Sequence, residues 1–595
     1  MTQPYTNRQS TQKYSHGHAR LCCCVLIVVG VAVLAAATSA QPRAARVNER
    51  HRYQIDLKID FDALSYTGSE RVRFTNRGDH STNTLYFHLY SNVRVEGQSG
   101  SPADEPRIEV LKLRLLPSDT PLPFNLEDQG STLRVLLREP VAAGESVEVA
   151  LDFRGTVPEI DPEESGITTH VIKQVSAALR DEREIRRARD LNFRCRGVML
   201  LGSAYPVLAV HDGDDWRRRV EPSIGDLLFS ESADYEVTVT TATGVSVFAS
   251  GVEQEKAEGQ QTKSFSGSVL RDFAIVAGRS LRAEETTVGQ TTVRSIFLAE
   301  HERVGKQVLA TSAAALRVFA ARFGPLPYKT ISVAEAPLVA GLGSTEFSGL
   351  VVIASAFYVD FDSPAMRNLP EIIREQRPAV EQSLEWTVAH LLAHQWWGNA
   401  VGNDPAREPV LDEALAGWSA LLYYEETLGK EKAELVQEDQ LLGVYRLYRT
   451  FGGEDMDANR ASREYRNSFQ YAAIVATKGA MMFVMLRRLL GDEKFFAALR
   501  SYYKANEFEV ARLEDLQGAF IAESPLEQRR TVARTFNRWL ESKRGDEDIA
   551  KPDQELAATL GIPVKANQQK KGDRTALTAF ARLGKFFWQQ MTRIR

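Results

Sequence analysis

His390 and His394 stand four apart in the stretch TVAHLLAHQWWGN, residues 387–399. On a helix that spacing projects both imidazoles from one face. Neutral imidazoles so arranged suit Zn²⁺. The chain has 10 histidines, so such a pair can arise by accident, and a third donor is needed to sharpen it. Glu413 follows in VLDEALAGWSALLYYE, with Pro409 marking the start of a second helix and Glu413 in its first turn or two. Two antiparallel helices would bring Glu413 opposite the histidines. Two histidines, one carboxylate and an open fourth position make a catalytic-type zinc site. The metal-free alternative is a buried cluster in which the carboxylate accepts the ring N–H groups.

The elements that must position these groups follow from pattern. The chain has 595 residues, enough for two to four domains. From about Arg46 to Leu281 it reads as β. HRYQIDLKIDFDALSYTGSERVRFTN alternates apolar and polar residues, with turn chemistry at TG and NRGD. STLRVLLREP, ESVEVALDFRG and ADYEVTVTTATGVSVFASGV repeat the pattern, which points to a saddle or sandwich of sheets. The charged stretch ALRDEREIRRARD, residues 178–190, reads as a solvated helix. Beyond Leu281, VGKQVLATSAAALRVFAARF from Val304 to Phe323 has helical periodicity, and GPLPYKTISVAEAP returns to strand. Helices are expected at 379–400, 410–428, 431–450, 469–491, 493–506, 512–522 and 525–542. The expected fold is therefore multidomain α+β. An N-terminal β domain (41–281) leads into an α+β block with a helical end (282–545), then a polar linker and tail (546–595).

Composition narrows the function classes. A net charge of −5 argues against a nucleic-acid partner. Lys13 and Arg20 precede the apolar run LCCCVLIVVGVAVLAAA and then ATSAQP, so residues 1–40 read as an export signal or an uncleaved membrane anchor. Either reading places the body outside the cytoplasm: periplasmic, extracellular or membrane-anchored. Three of the four cysteines lie in that run, leaving Cys195 alone in the body, so no internal disulfide is expected. At the other end, Leu577, Phe580, Phe587, Met591 and Ile594 would share a helix face flanked by Arg582, Lys585, Arg593 and Arg595. Such a basic amphipathic tail either lies on a membrane surface or docks on its own protein.

At this point a resemblance is visible. AHLLAHQWWGN, EPVLDEALAGW, GSTEFSGLVVI from Gly343 and VATKGAMMFVML from Val475 resemble, in order and spacing, the zinc-dependent aminopeptidases of the membrane alanyl aminopeptidase family, the gluzincins. The N-terminal YTGSERVRFTN and ADYEVTVT segments are also similar to that family's first domain. The resemblance spans roughly residues 46–545 and implies a β-saddle, a thermolysin-like metallopeptidase domain and a helical remainder, ending before the large helical superdomain of longer relatives. It implies zinc ligands at His390, His394 and Glu413, and a substrate-binding carboxylate at Glu346 that pairs with the free α-amine of a peptide. Thr345 and Phe347 replace the Met and Asn that usually flank that glutamate.

Two positions depart from the family in a way that bears on catalysis. The general base directly after the first histidine is Leu391, and the tyrosine that stabilises the oxyanion is Ala476. A positioned acid–base group is worth ~10²- to 10⁴-fold, and one oxyanion donor ~2.7–4 kcal/mol. Tyr471, Glu385, Glu408 and Asp412 are the nearby groups that could substitute. On an α-helix Tyr471 would face away from position 476, Glu385 would be off the histidine face, and Asp412 suits an orienting role. Residues 359–382 form a charged insertion, either a lid over the cleft or a loop with a short helix. The expected function is an exported family member that keeps Zn²⁺ and binds peptide or protein N-termini, with little or no peptidase activity. The alternatives are an active metalloaminopeptidase with a substitute base and a non-metal interaction protein on the same scaffold.

Overall fold

The computed structural model describes residues 50–559 apart from 95–104, 180–182, 213–214, 223, 255–260, 368–370 and 376. The export segment and the amphipathic tail expected from sequence lie outside the described residues.

The opening strand shows why the first half is β. In β1 (His51–Asp60) burial alternates residue by residue, with Tyr53, Ile55, Leu57 and Ile59 inward, the period-2 signature of a sheet with one covered face. β1 joins β2 (Ser65–Thr75), β3 (Arg107–Leu116), β4 (Ser146–Thr156), β5 (Ala233–Thr240) and β6 (Thr262–Leu270) in an eight-stranded sheet, where these six run in the order β6-β5-β1-β2-β4-β3. β1 pairs antiparallel with β2 and parallel with β5. Two four-stranded sheets pack with it, one of them containing Asn192–Cys195 and Val198–Leu201. Cys195 is a free, buried thiol.

Between β4 and Asn192 the chain makes an excursion that carries helix α1 (Ile167–Leu179). The helix expected over 178–190 is not there. α1 ends at Leu179, residues 183–187 have no regular structure, and Ala188–Asp190 is a single 3₁₀ turn. The charges of this stretch serve particular contacts instead of a solvated face. The Glu184 N–H donates to the Arg466 carbonyl at 2.7 Å, its carboxylate accepts from Ser468 N–H at 2.9 Å, and Arg183 donates to the Arg463 carbonyl.

The second half is built on a five-stranded sheet of β7 (Leu281–Val288), β8 (Thr291–Leu298), β9 (Thr330–Ala336), β10 (Ser344–Phe347) and β11 (Leu350–Ala354), in the order β7-β8-β9-β11-β10. β8, β9 and β11 are parallel, and every residue of β9 and β11 is buried, as expected of strands covered on both faces. β10 pairs antiparallel with β11 and forms one edge. Helix α2 (Glu302–Phe323) precedes β9, and α3 (Arg377–Ala393) carries His390, with His394 one residue past its end. Sequence suggested that α3 would continue to residue 400. It stops at Ala393 because the chain reverses at Gly398, whose φ of +103° lies in the left-handed region. A Cβ there would come into ordinary contact with Asp412 Oδ2 at 3.4 Å and His394 Nδ1 at 3.5 Å, so the backbone conformation and not space is what calls for glycine.

α4 (Val410–Leu428) is buried continuously from Val410 to Tyr424. The short helix Ser468–Tyr471 runs into a π-helical segment, Ala472–Lys478, and then into α5 (Gly479–Asn506), which kinks at Gly491 where sequence placed a break. α6 (Leu513–Glu523) and α7 (Arg529–Leu540) complete the helical part. The helix from Ser468 to Asn506 is long and apolar enough to cross a membrane, but 78% of its apolar window is buried in the protein, so it serves as core. The 359–382 insertion contains two short helices, Pro364–Arg367 and Glu371–Arg374. It is pinned to α2 and α3 by Arg303–Asp360 at 2.6 Å, Arg303–Asp362 at 2.8 Å and Arg377–Asp362 at 2.7 Å.

Candidate metal centre

α3 and the first turn of α4 bring His390, His394 and Glu413 together. His390 Nε2 lies 3.3 Å from His394 Nε2 and 3.6 Å from Glu413 Oε2. A potential donor atom from each of the three residues lies within 4.8 Å of the others. Tetrahedral zinc with bonds of ~2.0–2.1 Å holds its donors about 3.3 Å apart, so the donor set fits the ion with little rearrangement. The His394 and Glu413 side chains are 1% and 6% exposed and that of His390 15%, so the centre opens to solvent on the His390 side.

The other nitrogen of His394 faces two buried carboxylates. Nδ1 is 3.7 Å from Glu346 Oε1 and 3.9 Å from Asp412 Oδ2. Asp412 accepts from Asn403 Nδ2 at 3.1 Å. Held by Asn403 and facing Nδ1, Asp412 is placed to orient the ring. Glu346, on edge strand β10, is not a surface residue: its side chain is 6% exposed. It borders a small cavity of about 60 Å³ with Asp226, Asp272, Asn403 and Asp412. Burial, with repulsion from Asp226, pushes the Asp272 carboxyl up to about 7, against the Ser348 N–H it accepts at 2.8 Å and the Arg271 charge. Asp226 and Asp272 were not found from sequence. They sit in the β domain with no local spacing to mark them, and only tertiary packing brings them to Glu346.

Position 391 is apolar core. Leu391 is 0% exposed and belongs to the main hydrophobic cluster. Ala476 is the one residue of the π-helical segment that is not buried. Its carbonyl lies 3.7 Å from where Gly417 would carry a Cβ, one turn beyond Glu413 on α4, and its methyl offers no hydroxyl at the position where the family resemblance expects one. Lys478 is a strut: buried, its Nζ contacts Asp455 at 3.0 Å and the Ser542 carbonyl at 3.1 Å. Gly479 lets the following helix approach α4, since a Cβ there would lie 2.4 Å from Ala414 Cβ.

The four substitute groups are placed as follows. Glu385 accepts from the Tyr423 hydroxyl at 2.8 Å and borders a cavity of about 290 Å³ between α2 and α3 that the three ligand candidates do not line. Glu408 faces a different cavity, of about 580 Å³, beside Arg512 and Glu514, and burial raises its pKa. Asp412 is committed as described. For Tyr471 the α-helical register assumed from sequence does not hold. In π winding the hydrogen bonds run i to i+5, so positions 471 and 476 stack more closely than an α-helix allows. The Tyr471 hydroxyl lies 2.9 Å from where Gly225 would carry a Cβ, next to Asp226.

Comparison with known proteins agrees with this geometry. Residues 365–539 match the model of the peptidase family M1 domain. Aminopeptidase M1-B of Oryza sativa subsp. japonica is 30% identical over 256 residues, covering 42% of this chain and 27% of that protein. Aminopeptidase N of Lactococcus lactis subsp. lactis is 29% identical over 176 residues, 27% of this chain and 19% of that protein. The matches thus span about a quarter of these relatives' length or less. An M1 zinc metallopeptidase from Deinococcus radiodurans shares the fold with a TM-score of 0.53 at 19% identity, covering 83% of this chain and 94% of that one. A mutant of it bound to a Tyr-Ser-Ala substrate superposes with a TM-score of 0.53 at 18% identity, covering 85% and 95%. The β-sheet N-terminal part, central α/β region and helical C-terminal part share the fold of the M1 zinc metallopeptidase structures, and residues 365–539, which carry the His-His-Glu cluster, are similar to the peptidase family M1 domain.

Proposed function

We propose that this protein binds Zn²⁺ through His390, His394 and Glu413, holds the free N-terminus of a peptide at Glu346, and hydrolyses it poorly or not at all. The observation that carries this reading is the pairing of a donor set spaced for zinc with Leu391, fully buried, at the position of the family's base. Zinc, when bound there, supplies Lewis-acid polarisation. The chain's own residues must supply the rest. Glu346, buried against His394 in a cavity with three further carboxylates, is suited to an ammonium group. Leucine can neither take a proton from water nor return one to a leaving amine. Alanine at 476 offers no hydrogen bond to an oxyanion. Together these losses correspond to ~10⁴-fold or more.

We further propose that the body, divided at about residues 281 and 545, works outside the cytoplasm. That rests on the export-type residues 1–40, and surface contact through them or the basic tail belongs to the same reading.

The test is aminopeptidase turnover by the zinc-loaded protein beside Leu391→Glu, Ala476→Tyr and the double variant, each with and without chelator. A silent native protein and a chelator-sensitive double variant are expected. Native turnover at ~1 s⁻¹ or above would overturn the reading. A second reading, residual hydrolysis assisted by Tyr471, is favoured by the π winding between 471 and 476. It requires that Tyr471→Phe abolish whatever turnover the native protein shows.

A further inference from the structure

We infer that the β-domain excursion carrying helix α1 and residues 183–190 roofs the open end of edge strand β10, so that the ligand held at Glu346 is a short peptide of about four residues and not a protein N-terminus. This rests on the peptide-binding reading above and names its substrate class.

β10 pairs with β11 on one side only, and its free edge can take an extended chain. A peptide whose ammonium group sits at Glu346 has two directions along that edge. Toward Phe347 the way is filled. Phe347 is fully buried under Gly202, with its Cζ 2.7 Å from where a Cβ would stand. Ser348 donates through Oγ to Asn399 Oδ1 at 2.8 Å. The peptide must therefore run toward Ser344 and Gly343.

That end is where α1 lands. The Ala340 N–H donates to the Glu164 carbonyl at 2.8 Å, and His170 Nε2 lies 3.2 Å from the Leu338 carbonyl. The His170 ring packs against Phe357 with centroids 5.7 Å apart. Gly341, at φ +96°, passes so close under Lys173 that a Cβ would lie 3.2 Å from its Cγ. The far end of the excursion reaches the opposite wall. Asn467, the cap of the helix that leads to Ala476, donates to the Ala177 carbonyl at 3.0 Å. Arg183 and Glu184 fasten to Arg463, Arg466 and Ser468 as described above. α1 has 13 residues, or about 20 Å of helix at ~1.5 Å per residue, and it touches one wall through His170 and the other through Ala177. From Glu346 to Gly341 is five positions, of which only Ser344–Glu346 are strand, so the span is at most about 16 Å at ~3.3 Å per residue. An extended ligand meets the roof after about four residues.

The experiment is calorimetric binding to the zinc-loaded protein of Tyr-Ser-Ala and of the same tripeptide extended with Gly and Ser to four, six and ten residues, each also N-acetylated. The expected result is acetylation-sensitive binding that holds to four residues and weakens at least tenfold by ten. Two variants loosen the roof without touching the centre: Arg183→Ala with Glu184→Ala, and Ile172→Pro at an exposed position of α1. Either should restore the ten-residue peptide to within threefold of the tripeptide and leave tripeptide affinity unchanged. Equal native affinity for three and ten residues, with acetylation still abolishing both, would overturn the roof and keep the peptide site. Failure of every free-amine peptide to bind the native protein would overturn the peptide site itself, and the roof with it.

Discussion

Gly479→Ala should drive α4 and α5 apart at the point where α4 carries Glu413. The new methyl would stand 2.4 Å from Ala414 Cβ, 3.1 Å from Val410 Cγ2 and 3.3 Å from Ala414 Cα. Non-bonded carbons rest at about 3.5–4.0 Å, so the helices must separate by about 1 Å. Two of the three obstructing atoms belong to Ala414, which has no side-chain freedom to yield, and both helices are buried here. Overpacking of this kind costs about 1–3 kcal/mol. At ~2–4 °C per kcal/mol for a domain of this size, melting falls by about 2–12 °C. The same movement widens the 3.6 Å separation of Glu413 from His390, and a disturbed ligand geometry lowers zinc affinity about 10- to 100-fold. The assays are thermal melting with and without Zn²⁺ and competition against a chromophoric chelator. Gly417→Ala is the control. It lies on the same helix one turn beyond Glu413, but its methyl would meet nothing nearer than 3.6 Å, and it should be neutral or stabilise by up to ~1 kcal/mol. If Gly479→Ala binds zinc and melts like the native protein, or Gly417→Ala is the more damaging, the argument that helix contact positions Glu413 is wrong.

Other perturbations follow from single features. Asp412→Asn keeps an acceptor for Asn403 but removes the charge facing His394, so zinc affinity should drop about 10- to 100-fold by chelator competition. His394→Ala should abolish stoichiometric zinc uptake, and with it any melting shift on adding metal. Glu70 is buried in the β domain, no described residue hydrogen-bonds its carboxylate, and burial raises its pKa well above the usual range. The folded state holds it protonated while the unfolded chain ionises near ~4.3. Its contribution is therefore fully present below that pH and is lost by about 1.4 kcal/mol per unit as pH rises toward the folded value. Glu70→Gln should match the native protein in urea unfolding near pH 4 and exceed it in stability at pH 8. A constant difference across that range would rule the ionisation out.

Sequence carried the parts of this molecule that repeat. The alternation of β1, the periodicity of α2 and the limits of α4 were readable because each buries one face at a fixed period. The break near residue 491 was readable because of its glycine. The histidine pair was readable because a turn of helix puts both rings on one face, and Glu413 because Pro409 marks the start of the second helix that carries it. What escaped had no period. The winding of 472–478 is a choice of hydrogen-bond register that side-chain pattern does not record. The end of α3 was hidden by the apolar continuity of AHQWWGNA, with Gly398 as the one cue. Asp226 and Asp272 reach the cavity beside Glu346 only because the β domain folds against β10. The contacts of Arg183 and Glu184, where a helix over 178–190 was expected, are to residues almost 300 positions away.

Arg271 holds a single buried guanidinium against three backbone carbonyls: Asn399 at 2.6 Å, just past the histidine helix; Ser230 at 3.1 Å, in the β domain; and Glu509 at 2.7 Å, before α6. Any pivot between these three parts would strip a cation of its acceptors in a place water does not reach, at about 1.5–3 kcal/mol for each bond. The molecule is riveted at its centre and not hinged there. Its working space is therefore cut before any ligand arrives, and selection among ligands falls to fixed dimensions and not to closure around a guest.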